Sequence, residues 1–125
     1  MNRREIAKSY LKHLENGHIE QIIDLFDANG IVESPIYGIK NAKAFYTELS
    51  NDTSASKLQL KGLFEDIDSN TIALYFTYTW TLKNNKNVTF DVVDIIAFNA
   101  KNKIISLKII YDTMATRKLV DNLKE

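Results

Sequence analysis

No cysteine occurs in the 125 residues, which removes disulfides, thiolate nucleophiles and zinc–thiolate centres from consideration. An excess of one charge is missing too. Sixteen Lys and Arg face sixteen Asp and Glu, with no run of like sign. Binding a phosphate backbone needs a basic excess or stripe, so nucleic acid is not expected as a partner. No apolar stretch approaches membrane-spanning length, so no membrane is expected either. The first residues, Met1-Asn2-Arg3-Arg4-Glu5, lead into an amphipathic segment and not into the apolar core of a signal peptide. A cytoplasmic location is therefore expected, and the glycosylation-type triplets Asn51-Asp52-Thr53 and Asn87-Val88-Thr89 are read as chance. No metal or cofactor is expected. There is one proline, and no linker or internal repeat breaks the chain, so residues 1–125 are read as one domain.

What is present divides into a helical half and a stranded half. Asn2 and Glu5 have capping-box spacing, and Ile6, Ala7, Tyr10, Leu11 and Leu14 form an apolar stripe at helical period. Gly17 supplies the stop. Ile19, Ile22, Ile23 and Phe26 predict a second helix, ended by Asn29-Gly30. Ile31-Val32-Glu33 reads as a short extended piece, and Pro35 keeps Ser34 out of the helical region. Ala42, Phe45, Tyr46 and Leu49 predict a third helix, with a polar loop from Ser50 to Ser56 after it.

From there the period changes to two. Four strands are predicted, near 57–66, 71–82, 88–98 and 103–112, joined by Asp68-Ser69-Asn70, Lys83-Asn84-Asn85-Lys86 and Asn99-Ala100-Lys101-Asn102. Their expected inward rows are Leu58, Leu60, Gly62, Phe64; Ile72 through Leu82 at every second position; Val88 through Phe98 likewise; and Ile105, Leu107, Ile109, Tyr111. A short helix over 115–123 closes the chain. Helices followed by one antiparallel meander make an α+β fold, with the helices over one sheet face. Val93, Ile95, Ala97 and Ile110 keep the other face apolar, and a homodimer is expected there.

One residue breaks the apolar row of the third strand: Asp94, with no Lys or Arg in its row. A buried carboxylate is costly unless paired or protonated. Protonated, it becomes a hydrogen-bond donor. Two registers remain open. In one, Asp94 faces inward. In the other, the strand is shifted by one residue, Asp94 faces water and Asp91 faces inward.

Tyr10 to Leu14, Gly17, Leu25-Phe26, Val32-Glu33, Pro35, Gly38, Phe45-Tyr46, Asp94, Phe98-Asn99 and Lys103 to Ser106 occur in the order seen in bacterial ketosteroid isomerases. Over nearly its whole length the chain resembles the ketosteroid isomerase and SnoaL-like group of the nuclear-transport-factor-2-like superfamily. The resemblance implies a cone-shaped roll, of the cystatin-like kind, closing an apolar pocket. It implies that Tyr10 and a neutral Asp94 donate to a carbonyl oxygen, with Tyr46 supporting Tyr10, as an oxyanion hole. The ligand implied is a small apolar keto or enol-type compound, and the chemistry is isomerisation, cyclisation or elimination. Ser34, Phe76, Trp80, Phe90 and Ile109 are expected to line its site.

The resemblance departs at Ser34-Pro35, where those isomerases carry an aspartate base before the proline. A serine hydroxyl is no base for a carbon acid without an activating neighbour. His13 and His18 are expected on the solvent side. Glu33 is expected to face away from the pocket, because neighbouring residues of an extended piece point oppositely. Asp112, ending Ile109-Ile110-Tyr111-Asp112, resembles the acidic strand ending of SnoaL-like proteins and is the candidate replacement base. The alternative is a non-catalytic module for lipophilic small molecules. A third reading is a structural domain whose pocket is plugged by Phe76, Tyr78, Trp80 and Phe90.

Overall fold

The capping box at Asn2 forms as its spacing predicts. Its side chain accepts from the Glu5 N–H at 2.8 Å, and Glu5 accepts from the Asn2 N–H at 3.2 Å. In the computed structural model, which describes residues 1–124, this opens helix α1, Arg3–Asn16. Gly17 ends it in the left-handed conformation at φ 71°, which costs glycine little. The buried stripe is Ile6, Ala7, Tyr10, Leu11 and Leu14.

Helix α2, Ile19–Asp24, is shorter than its apolar spacing suggests. Phe26 belongs not to it but to β1, Phe26–Ser34. The Leu25 carbonyl accepts from the Ile104 N–H, and Phe26 pairs with Ile104, so sheet pairing overrides helical period here. The short extended piece is thus a nine-residue strand. A register shift between Phe26 and Ile31 requires glycine at position 30. A Cβ there would lie 2.9 Å from the Ile104 carbonyl oxygen and 2.9 Å from the Phe26 ring.

Strand β2, Gly38–Asn41, pairs back on β1. Asn41 then caps helix α3, Ala42–Asp52, accepting from the Ala44 N–H at 2.8 Å. The polar stretch from Ser50 to Ser56 is not a loop. The helix runs to Asp52, and β3, Thr53–Asp66, starts at the next residue. Strands β4 (Thr71–Leu82), β5 (Asn87–Phe98) and β6 (Ile104–Ile110) follow, and α4, Met114–Lys124, ends the description. Asn70, Asn85 and Asn102, one in each predicted turn, take positive φ values of 55°, 66° and 61°.

The result is α+β, with one six-stranded sheet in the order β2-β1-β6-β5-β4-β3. The four-strand meander is present, but β1 adds to its β6 edge in parallel. Burial alternates strictly along β4, from Ile72 to Leu82, so the helices cover one face. Two predicted rows are broken by bulges. Leu60 pairs with Phe76 and Gly62 with Tyr75, which turns Leu63 inward and leaves Phe64 62% exposed. Phe98 pairs with Ile104 and Ala97 with Ser106, so Ile104 is buried and Ile105 faces out.

Candidate functional site

Asp94 pairs across the sheet with Leu74 on one side and Ile109 on the other, in the row that faces the helices. It is buried, whereas Asp91 is exposed and accepts from the Thr77 hydroxyl at 3.0 Å. The first of the two registers is therefore the one adopted. Neither carboxyl oxygen has a hydrogen-bond partner among the described residues, and Oδ1 has no solvent contact. Burial alone pushes the Asp94 pKa well above the ordinary carboxylate range.

Asp94 opens into a small cavity of about 50 Å³ between the sheet and helices α1 and α3, with its mouth open to solvent. That is well below the roughly 300 Å³ at which drug-sized sites begin, so the enclosed space suits a small group. Helix α1 contributes Tyr10 and Leu14, α3 contributes Phe45 and Leu49, and β1 contributes Ser34. Strand β4 supplies Phe76, Tyr78 and Trp80, β5 supplies Phe90 and Val92 beside Asp94, and Ile109 and Tyr111 close the far wall. Aromatic side chains take up much of the space beside Asp94, and a small cavity is left between them. Tyr78, Phe90 and Tyr111 stack in sequence, with centroids 5.6 Å and 4.6 Å apart.

The polar groups around this space are mostly engaged elsewhere. The Tyr10 hydroxyl meets the Tyr46 hydroxyl at 2.7 Å, and Tyr46 stands behind it, outside the lining. Burial holds both phenols well above their usual pKa. Tyr78 bonds the Ser56 hydroxyl at 2.7 Å, and the Trp80 N–H donates to Thr53 Oγ1 at 2.8 Å. Tyr37 donates to Asp52 at 2.6 Å, and Lys124 of α4 donates to the other Asp52 oxygen at 2.7 Å. Tyr111 has no hydrogen-bond partner among the described residues; burial pushes its pKa up to about 12, with Arg117 pulling the other way.

Ser34 takes the place at the cavity wall where a base was sought. Its oxygen accepts from the Ile36 and Tyr37 N–H groups, both at 3.3 Å. Asp112 does not reach the cavity. It lies beyond β6, exposed, and accepts from the Met114 N–H at 3.1 Å at the start of α4. The strand ends before it, so no bulge turns it inward, and it closes an Asx turn just ahead of α4. Glu33 faces outward beside Lys108 at 3.8 Å. His13 and His18 approach each other at 3.3 Å outside the cavity. Leu14, Phe45, Leu49, Val92 and Tyr111 line the cavity from predicted apolar rows without having been named as site residues, and Tyr37 lines it from outside any predicted element. It follows Pro35 in a turn without periodicity, and its one signal is the proline that fixes that turn.

Compared by sequence, the chain matches no protein-family model and no curated protein. Compared by structure, it matches an NTF2-like protein of unknown function from Burkholderia pseudomallei at TM-score 0.82, with 14% identity over 95% of this chain and 97% of that one. The chain has the NTF2-like fold. The epoxide hydrolase/cyclase-like enzyme SalBIII, of pyran ring formation in salinomycin, matches at TM-score 0.78 and 21% identity, covering 90% of this chain and 92% of its own. A ketosteroid isomerase-like protein from Catenulispora acidiphila, in complex with trimethylamine, matches at 0.76 and 10% identity, covering 86% and 85%. At these identities the likeness establishes the NTF2-like fold and no activity.

Proposed function

We propose that this protein binds a small apolar keto or enol-type compound and holds its oxygen between the Tyr10 hydroxyl and a neutral Asp94. The observation that carries this reading is Asp94 itself, a buried carboxyl opening into an aromatic cavity with no partner among the described residues. Such a group is costly to bury when charged, and when neutral it has a proton to donate. With the Tyr46 hydroxyl donating to the Tyr10 oxygen 2.7 Å away, the single Tyr10 proton is left for the ligand. Two donors aimed at one oxygen favour the enolate over the ketone, each by roughly 3 kcal/mol where such holes have been dissected.

The same pocket argues for binding more than for turnover. Asp94 is the one carboxyl among the described residues of its lining, and it acts as an acid. Ser34 spends its oxygen on two backbone N–H groups, and Asp112 stands outside. A binding module with carbonyl-polarising donors is the reading these facts favour. Isomerisation, cyclisation or elimination would need a base carried by the ligand. The outer sheet face, with Val93, Ile95 and Ala97 half-buried and Ile110 and Phe64 exposed, fits a second copy of this chain.

The test is titration with phenol, whose oxygen resembles an enolate. Tyr10→Phe and Asp94→Leu are each expected to weaken binding at least tenfold. Unchanged affinity in both variants rejects the donor pair.

A further inference from the structure

Ser34 has one hydrogen-bonding capacity left. Its oxygen accepts from two backbone N–H groups of the turn that follows it. A hydroxyl has two acceptor positions and one proton, so only the O–H remains to be given away. No described residue takes it, although Ser34 is 7% exposed and lines the cavity. Within the protein this is a buried donor awaiting an acceptor, and leaving such a donor unmade is costly.

Its position relative to Asp94 follows from the strand register. In the parallel pair of β1 and β6, Val32 lies opposite Leu107 and Glu33 opposite Lys108. One residue further, Ser34 comes level with Ile109, and Ile109 pairs with Asp94 on β5. Ser34 and Asp94 thus share one row across the sheet, two strands apart, with Ile109 between them. Two strand spacings put their Cα atoms about 10 Å apart. Both side chains stand off the same face into the same cavity. The apolar Ile109 between them and the stacked Phe90 and Tyr111 beside them favour something flat and apolar across the gap.

We infer that the site takes a planar ring compound bearing two oxygens, one held by Tyr10 and Asp94 and the other accepting from the Ser34 hydroxyl. Ser34 is then a specificity residue, a donor where a base would make an isomerase. This rests on the donor-pair reading of the pocket, and deepens it by naming the ligand class.

The experiment is an NMR titration of the full chain with phenol and with catechol, resorcinol and hydroquinone under reducing conditions. At least one dihydroxybenzene is expected to bind at least tenfold tighter than phenol. Ser34→Ala is expected to weaken the favoured dihydroxybenzene at least fivefold more than it weakens phenol, so that the gain is lost, and Ser34→Thr, which keeps the hydroxyl, is expected to retain it. If no dihydroxybenzene exceeds phenol, or if Ser34→Ala weakens all four probes by one common factor, the second-oxygen subsite is wrong. If Tyr10→Phe and Asp94→Leu leave phenol unmoved, the pocket reading beneath it falls and takes this inference with it.

Discussion

Asp94 sits where ionisation would place an unpaired charge against Leu74, Ile109 and aromatic rings, and its stability consequence has a definite sign. Burial raises its folded-state pKa. Between the unfolded value, about 3.9, and the raised folded value, the native state holds the extra proton, so stability falls as pH rises through that window. An asparagine of the same shape has no proton to lose. Asp94→Asn is therefore expected to change stability little at pH 4 and to stabilise increasingly above it, by about 1.4 kcal/mol per pH unit within the window. Urea denaturation of both proteins at pH 4 and pH 7 checks this; a constant difference at both would contradict a neutral Asp94. At Ser34 the expectation concerns activity. An aspartate there accepts the same two N–H groups with one oxygen and turns the other to the cavity. Ser34→Asp is expected to gain measurable isomerisation of a β,γ-unsaturated cyclic ketone, followed by absorbance of the conjugated product, where the native chain has none.

Elements were legible where local rules decide them. The Asn2 capping box, the Gly17 stop and the three asparagine turns are written in short stretches of sequence, and each formed. Strand β1 was not, because Phe26 fits a helix by spacing and becomes a strand through Ile104, 78 positions away in sequence. The bulges at Leu60–Gly62 and at Ile105 were equally hidden, since a single extra residue leaves the alternating pattern intact on either side of it. Gly30 carries the strain of that hidden pairing. Gly30→Ala drives a methyl group into the Ile104 carbonyl and the Phe26 ring, and is expected to destabilise the fold by about 1–3 kcal/mol. The midpoint of urea unfolding measures it; an unchanged midpoint would mean that β1 moves aside freely.

For the whole molecule, the ordered resemblance carried the fold; Tyr10, Ser34 and Asp94 lie around one cavity with Tyr46 behind Tyr10, while Asp112 lies outside it because sequence cannot say where a strand stops. The molecule still has an apolar outer sheet face, with Phe64 62% and Ile110 48% exposed. If that face joins two copies, Phe64→Asp with Ile110→Asp is expected to halve the mass seen by light scattering without altering the far-ultraviolet spectrum. A monomeric native chain would contradict the interface. The pocket, however, depends most on the charge state of one carboxyl in the interior. Infrared difference spectroscopy between the native protein and Asp94→Asn at pH 7 reads it directly. The carbonyl stretch of a protonated carboxylic acid, present in the native spectrum and gone in the variant, is the predicted result. A difference containing only the bands of an ionised carboxylate would contradict it.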